Sequence, residues 1–392
     1  MTKIREIDRA LCRFSVFRGL FETPVFKRFF EYAEAKSGTE EKLNAYGALV
    51  AEIYEGGGSL AACVRRALFE DENVYVRAIA KGGEVKASIR EAAEHELEIL
   101  SAFASLSPCD FSTDMEEDGF VPSFEEETVN LAAEYGERVK SIGRYGYGIF
   151  ASYGMFSVDG DGHIRPIESA DDTSIESFIG YGEERRRVMD NTRAFLEGRP
   201  AANVLLYGDA GTGKSSTVKA IANHLFDKGL RLIELRKNQL LLLPKVMGEI
   251  GRNPLKFIIF IDDLSFNNND DQFSMLKATL EGSASAKAPN AVIYATSNRR
   301  HIIKESFSDR EGSDVHRNDT VQETLSLSER FGLTVLFAKP EKKLYLEIVA
   351  ELAARNGIEA DPAELARAAE EFALRRGYRS ARCAEQFIHS LM

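Results

Sequence analysis

Along residues 1–170 apolar positions recur at helical spacing. Leu43, Tyr46, Leu49, Val50 and Ile53 mark one helix, which Gly56-Gly57-Gly58 brings to an end. Ser59 is placed to cap the next, through Leu60, Val64 and Leu68. A third is predicted over 89–103, with Ala92, Leu97, Leu100 and Phe103 on its apolar side. Tyr145-Gly146-Tyr147-Gly148-Ile149-Phe150 reads as a turn packed on a core, with an exposed binding loop as the alternative.

From about residue 171 the texture changes. Short runs that are apolar at nearly every position, 203–207, 230–235, 257–261, 291–296 and 333–337, alternate with helical patterns. That alternation predicts an α/β fold: a five-stranded parallel sheet with crossover helices, its strands covered on both faces. After Pro340 only helices are expected. Leu344, Ile348 and Leu352 mark one that stops near Gly357. Asp361-Pro362, a capping residue followed by proline at the first helical position, starts a second that stops near Gly377. Ser380 caps a third. The predicted division is 1–170, mostly helical; 171–338, the sheet; and 339–392, a helical appendage.

Composition narrows the partners. The 392 residues are 44% hydrophobic and 29% charged, as in a globular protein and unlike a disordered or collagen-like one. Fifty basic and 62 acidic residues leave a net charge of −12. Such a field does not attract nucleic acid or an anionic membrane, so a local basic patch would have to do so. Arg185-Arg186-Arg187 and Arg299-Arg300 are the only candidates, and nucleic acid is not an expected partner. No stretch reaches the about 18 uncharged apolar residues that span a bilayer, and acids in Met1–Asp8 argue against a leader. A cytoplasmic protein is expected. The four cysteines, Cys12, Cys63, Cys109 and Cys383, form no CxxC pair and read as buried, reduced thiols. His301 and His316 lack partners at metal-ligand spacing. Between Asp110 and Glu137 there are acids but no Lys or Arg, densest at 114–119. This is a solvated face or a docking surface for a basic protein.

One segment carries chemistry by itself. Gly208-Asp209-Ala210-Gly211-Thr212-Gly213-Lys214-Ser215 matches GxxxxGK[ST] between a predicted strand and a helix that continues with Ser216. A loop that wraps a phosphate must bring backbone N–H groups close, so its glycines carry no obstructing Cβ. The helix N-terminus adds its positive end. Lys214 is suited to the β- and γ-phosphates, and the Ser215 hydroxyl to Mg²⁺. A second apolar run ends in Asp262-Asp263. Placed beside the first strand, it sets both carboxylates at the sheet's C-terminal edge. Asp262 would then hold Mg²⁺ through a water, and Asp263 would deprotonate the attacking water. Asn298, ending a third run, offers an amide that holds water beside the γ-phosphate.

Together these stretches resemble the AAA+ P-loop ATPases and, more closely, the bacterial ATP-binding family DUF815. The resemblance is carried by 202–208 with its loop, by Ile261-Asp262-Asp263-Leu264-Ser265-Phe266, by Tyr294-Ala295-Thr296-Ser297-Asn298-Arg299-Arg300-His301 and by 325–333. It covers about residues 175–392. It implies that Ile179 and Gly180, with Tyr181, pack on adenine, and that Asn298 is the sensor that positions water. It implies further that Arg330 is an arginine finger reaching the γ-phosphate of a neighbouring subunit. Arg382 would be the lid arginine that senses nucleotide, with Arg379 as fallback, and 339–392 would be the lid. A polar segment, 309–319, precedes the finger. Leu240-Leu241-Leu242-Leu243 stands where protein-threading relatives carry a pore loop, and reads as a buried helix instead.

The expected function is Mg²⁺-dependent ATP hydrolysis, with ADP as product, by a homo-oligomeric ring or partial ring that remodels a protein partner. A nucleotide-state switch with poor turnover and a loader acting near nucleic acid are the alternatives. A small-molecule kinase would need an acceptor site and would lack such a lid.

Overall fold

A computed structural model describes residues 2–112, 120–169, 173–264, 271–280, 288–298 and 330–392. The expectations placed on 114–119, Ser265, Phe266, 299–329, and within that span His301 and His316, lie outside the described residues. The chain forms two compact units, Met1–Ser152 and Tyr153–Met392.

The first unit is helical, as its periodicity predicts. Helix Glu40–Glu55 buries Tyr46, Leu49, Val50 and Ile53, while Leu43 faces outward. The Ser59 side chain accepts from the Ala62 N–H and caps Leu60–Glu70. Helix Ala87–Ala104 buries Leu97, Leu100 and Phe103. Phe26, Phe29 and Phe103 meet in the core with ring centroids 4.6–5.0 Å apart. Tyr147 and Phe150 are buried, so the aromatic, Gly-rich run is the packed turn. Part of the acidic stretch is neutralised internally: Arg65 pairs with both Glu127 and Glu134, and Lys3 with Asp110. Cys63 is buried as expected, but Cys12 and Cys109 are exposed.

The second unit is built on a seven-stranded sheet. Its strands are β1 (Met155–Val158), β2 (Ile164–Pro166), β3 (Val204–Gly208), β4 (Leu230–Glu234), β5 (Lys256–Ile261), β6 (Ala291–Ser297) and β7 (Leu333–Phe337). They lie in the order β2-β1-β4-β5-β6-β3-β7, all parallel except the β1–β2 pair. The five expected strands all form. Two more extend the sheet, a hairpin from the region read as helical. Its strands are too short for a period to show. The signal was Asp159-Gly160-Asp161-Gly162, two turn dipeptides between apolar runs.

Two further expectations need correction. The acid-bearing strand β5 does not lie beside β3; β6 is inserted between them. Parallel neighbours are chosen by which crossover helices fit each face, which the runs themselves do not encode. And β7 is not covered on both faces: Val335 and Phe337 are buried while Thr334 and Leu336 are exposed, as suits an edge strand. The central strands β4, β5 and β6 are buried at almost every position.

The C-terminal helices Lys342–Arg355, Pro362–Arg376 and Ala381–His389 share their own core of Tyr345, Ile348, Val349, Phe387 and Ile388. Asp361 caps the second through the N–H groups of Ala363 and Glu364, and Gly377, at φ 80°, ends it. Ser380 caps the third. Leu240, Leu241 and Leu242 end a 3₁₀ turn, Lys237–Leu242, and Leu243 begins helix Leu243–Ile250. Leu240 and Leu243 are buried; Leu241 is exposed, which corrects the expectation of a wholly buried helix.

Candidate functional site

The phosphate loop leaves the C-terminal end of β3 and runs into helix Lys214–His224. Gly208 (φ 134°), Gly211 (74°) and Gly213 (86°) all take left-handed backbone, which is what the motif's glycines are for. At Gly208 the need is steric as well. A Cβ there would lie 2.1 Å from the carbonyl oxygen of Phe337 on β7.

A cleft of about 370 Å³ opens over this loop, a size suited to a nucleotide-scale ligand. Ala210, Gly211, Thr212, Gly213, Lys214, Ser215 and Ser216 form its floor. Asp262, Asp263, Thr296 and Asn298 form one wall. Ile179, Ile348 and Leu352 make an apolar end, and Arg382 closes over the loop. Twelve of the residues expected from sequence therefore come together here. Gly208 and Asp209 lie beneath the loop instead, where their carbonyls accept from the Lys214 ammonium at 3.0 and 2.7 Å. The Asp209 carboxylate accepts from the Lys339 N–H at 2.9 Å.

Gly180 does not line the cleft. It turns the chain at φ 73° against Leu344, whose Cδ1 would stand 2.6 Å from a Cβ there. Tyr181 packs its ring on Phe337 rather than into the cleft. Arg330, half-buried on the turn into β7, does not line this chain's own cleft either.

The polar contacts connect the three strand ends. The Ser215 hydroxyl donates to Asp262 Oδ1 at 2.6 Å. Thr296 donates to the same oxygen and accepts from the Asp263 N–H at 2.9 Å. Asn298 donates from Nδ2 to Asp263 Oδ1 at 2.9 Å, and its own Oδ1 accepts from Lys214 at 3.1 Å. Thus one strand separates β5 from β3, yet side chains at their ends still meet, because β6 supplies the bridge. Asp263 sits at φ 51°. Among the described residues it shares the left-handed region with only one other non-glycine, Tyr181. Such backbone costs of order 1–3 kcal/mol and is kept where the surroundings fix it. Here the fixing groups are Thr296 and Asn298.

Burial pushes the Lys214 ammonium below its ordinary pKa, against the pull of Asp209, Asp262 and Asp263. The three carboxylates offset the charge of Lys214, so a phosphate chain is held by Lys214 together with the loop N–H groups, and the acids are suited to a cation instead. The Ser215 hydroxyl and Asp262 carboxylate are hard oxygen donors within reach of one another, the donor chemistry that Mg²⁺ takes.

The helix Ala381–His389 begins directly over the loop. The Arg382 N–H donates to the Gly211 carbonyl at 3.3 Å. Arg379, the fallback, is held by Glu370 through two hydrogen bonds of 2.9 and 2.8 Å. The Arg185-Arg186-Arg187 run does not make a basic patch. Arg186 pairs with Glu183, Arg187 donates to the Thr334 carbonyl, and Arg185 is buried in the cleft wall.

Eight of the lining residues were not expected at the site from sequence, Thr296 and Arg185 among them. Thr296 carried a usable signal: it lies two before Asn298, so strand alternation puts both on one face. Arg185 carried none that separated it from its neighbours.

The family model described as "Protein of unknown function (DUF815)" matches residues 152–392. The match therefore spans the sheet, the loop and the three C-terminal helices. The Chaperone protein ClpB of Rickettsia bellii (strain RML369-C) is 27% identical over 189 residues, covering 41% of this chain and 21% of that protein. The chain thus spans about a fifth of the length of this curated relative. Among solved structures, the RuvB Holliday junction branch migration motor of Thermotoga maritima aligns with a TM-score of 0.34 and 14% identity. That alignment covers 56% of this chain and 72% of that one. A singly substituted form of the same motor aligns with the same TM-score and 13% identity.

Proposed function

The chain belongs to the DUF815 family, and on that premise we propose that its cleft binds ATP with Mg²⁺ and hydrolyses it to ADP and phosphate. The observation that carries this reading is the 2.6 Å bond from Ser215 to Asp262, beside Lys214. It joins the phosphate loop to a carboxylate from a strand that is not its neighbour.

In this reading the loop N–H groups and Lys214 hold the phosphates. Ser215 and Asp262 hold Mg²⁺, which when bound neutralises charge that develops on the phosphoryl oxygens. Asn298 and Asp263 are already hydrogen-bonded to each other, so an amide and a base stand together where water must be oriented. Asp263 takes the proton of that water. Ile179, Ile348 and Leu352 give the nucleobase an apolar end, and Arg382 reports the nucleotide to the C-terminal helices through its contact with Gly211. Arg330 serves a neighbouring copy, which requires a homo-oligomer.

The work done by the cycle is remodelling of a protein. The curated relative is named a chaperone, and of the two arginine stretches a nucleic-acid loader would use, Arg185-Arg186-Arg187 is spent on local contacts, while Arg299-Arg300 lies outside the described residues. A switch with poor turnover is separated by the steady-state rate measured across protein concentrations. Lys214→Ala is expected to abolish ATP binding, and Asp263→Asn to bind ATP but hydrolyse it slowly. Normal turnover in purified Asp263→Asn would remove that residue from the mechanism, and undiminished binding by Lys214→Ala would overturn the site.

A further inference from the structure

Arg185 is 8% exposed, yet it sits in the wall of the cleft between the apolar end and the phosphate loop. Among the described residues its guanidinium is placed by neutral groups alone. Nη1 donates to the Gly180 carbonyl, Nε to the Thr217 hydroxyl at 3.3 Å, and the plane lies over the Phe178 ring at 4.2 Å. Thr217 in turn donates to the Gly213 carbonyl at 2.7 Å, so the arginine is tied to the loop's last glycine. Nη2 points the same way: it lies 3.7 Å from where a Cβ on Gly213 would stand. Glu184, adjacent in sequence, acts on it through its field but accepts no hydrogen bond from it.

A buried cation whose hydrogen bonds all end on neutral oxygens is an expensive arrangement. Consistently, burial pushes the guanidinium down to about 10. The arrangement makes sense when an anion arrives. If the nucleobase takes the apolar end and Lys214 the far phosphates, the stretch beside Gly213 receives the start of the phosphate chain. A guanidinium presents a planar fork to phosphate oxygens and stays charged where a lysine would not.

We propose that Arg185 is a nucleotide-binding residue whose guanidinium clamps the phosphate chain at its nucleoside end, and so holds ADP as firmly as ATP. This rests on the nucleotide reading of the cleft and adds a ligand that the motifs do not name. It also ties the linker carrying Phe178 and Ile179 to the phosphate helix through one side chain.

The test is calorimetric titration of the full chain with Mg-ATP and with Mg-ADP. Arg185→Gln is expected to weaken both by a similar factor, about tenfold to a hundredfold, the range of one lost charge-assisted contact. Arg185→Met fills the same buried space without charge and carries the same comparison if the glutamine variant does not fold. Arg185→Lys, which keeps charge but not the fork, is expected to fall between. Equal affinities in the unsubstituted and substituted chains would overturn the proposal while leaving the nucleotide reading intact. So would a loss confined to ATP, which would place Arg185 at the terminal phosphate. Failure of the unsubstituted chain to bind either nucleotide would overturn the nucleotide reading, and this proposal with it.

Discussion

Replacing each of the three loop glycines with alanine gives a graded perturbation whose order the structure fixes. At Gly213, φ is 86° and the added Cβ would meet nothing closer than Arg185 Nη2 at 3.7 Å. Only the left-handed backbone is penalised, by roughly 1–2 kcal/mol. At Gly211 the Cβ would approach Ser380 Oγ to 3.0 Å and Arg382 Cβ to 3.1 Å, so the helix above the loop must shift. At Gly208 the obstruction is backbone: the Phe337 carbonyl oxygen at 2.1 Å and its carbon at 2.7 Å. Neither can move without opening the β3–β7 pair, whose register matches Gly208 with Phe337. The conformation at φ 134° is close to glycine-only and costs about 1–3 kcal/mol, to which overpacking adds about 1–3 more. With roughly 2–4 °C per kcal/mol for a unit of this size, Gly208→Ala should melt about 5–20 °C lower and Gly213→Ala only a few degrees lower. Differential scanning calorimetry of the three variants without nucleotide measures this. Gly211→Ala should stand between them in stability, and its ATP affinity should fall although every phosphate-binding side chain is retained. A Gly208→Ala variant that melts within two degrees or so of Gly213→Ala would refute the steric argument.

Other outcomes follow from the same geometry. Thr296→Val removes the donor to Asp262 and the acceptor for the Asp263 N–H, so kcat should fall about tenfold with little change in ATP affinity, and Thr296→Ser should restore it. Identical kcat in the valine variant would show that Asp263 is held by other means. Arg379→Ala breaks a partly exposed pair with Glu370, so it should cost no more than about 1 kcal/mol and leave ADP affinity unchanged. Weaker ADP binding would restore Arg379 as the sensor. Because burial lowers the Lys214 pKa in the folded chain, the unfolded chain binds more protons between that value and 10.5. Stability without nucleotide should therefore rise with pH across that interval, and Lys214→Met should lose this rise. ATP affinity should run the other way, falling as the ammonium loses its proton; an affinity flat to pH 10.5 would show that Lys214 stays charged.

What the sequence determined by itself was whatever depends on neighbours in the chain. The phosphate loop is legible because left-handed turns need glycine at fixed offsets, and Gly208, Gly211 and Gly213 adopt them. Ser59, Asp361 and Ser380 cap the helices they precede because a cap is satisfied within three residues. The five apolar runs became strands, and in β4, β5 and β6 burial on both faces is what leaves that signature.

The tertiary structure decided what depends on residues far apart. It inserted β6 between the loop strand and the acid strand, and so gave Thr296 and Asn298 the task of joining them. It separated three adjacent arginines, sending Arg185 into the cleft and its neighbours to surface partners. It set Arg382 in the lining of the cleft and left Arg379 paired with Glu370. Side-chain type states what a group can bind; which partner it meets is set by the packing of elements whose positions no local pattern encodes.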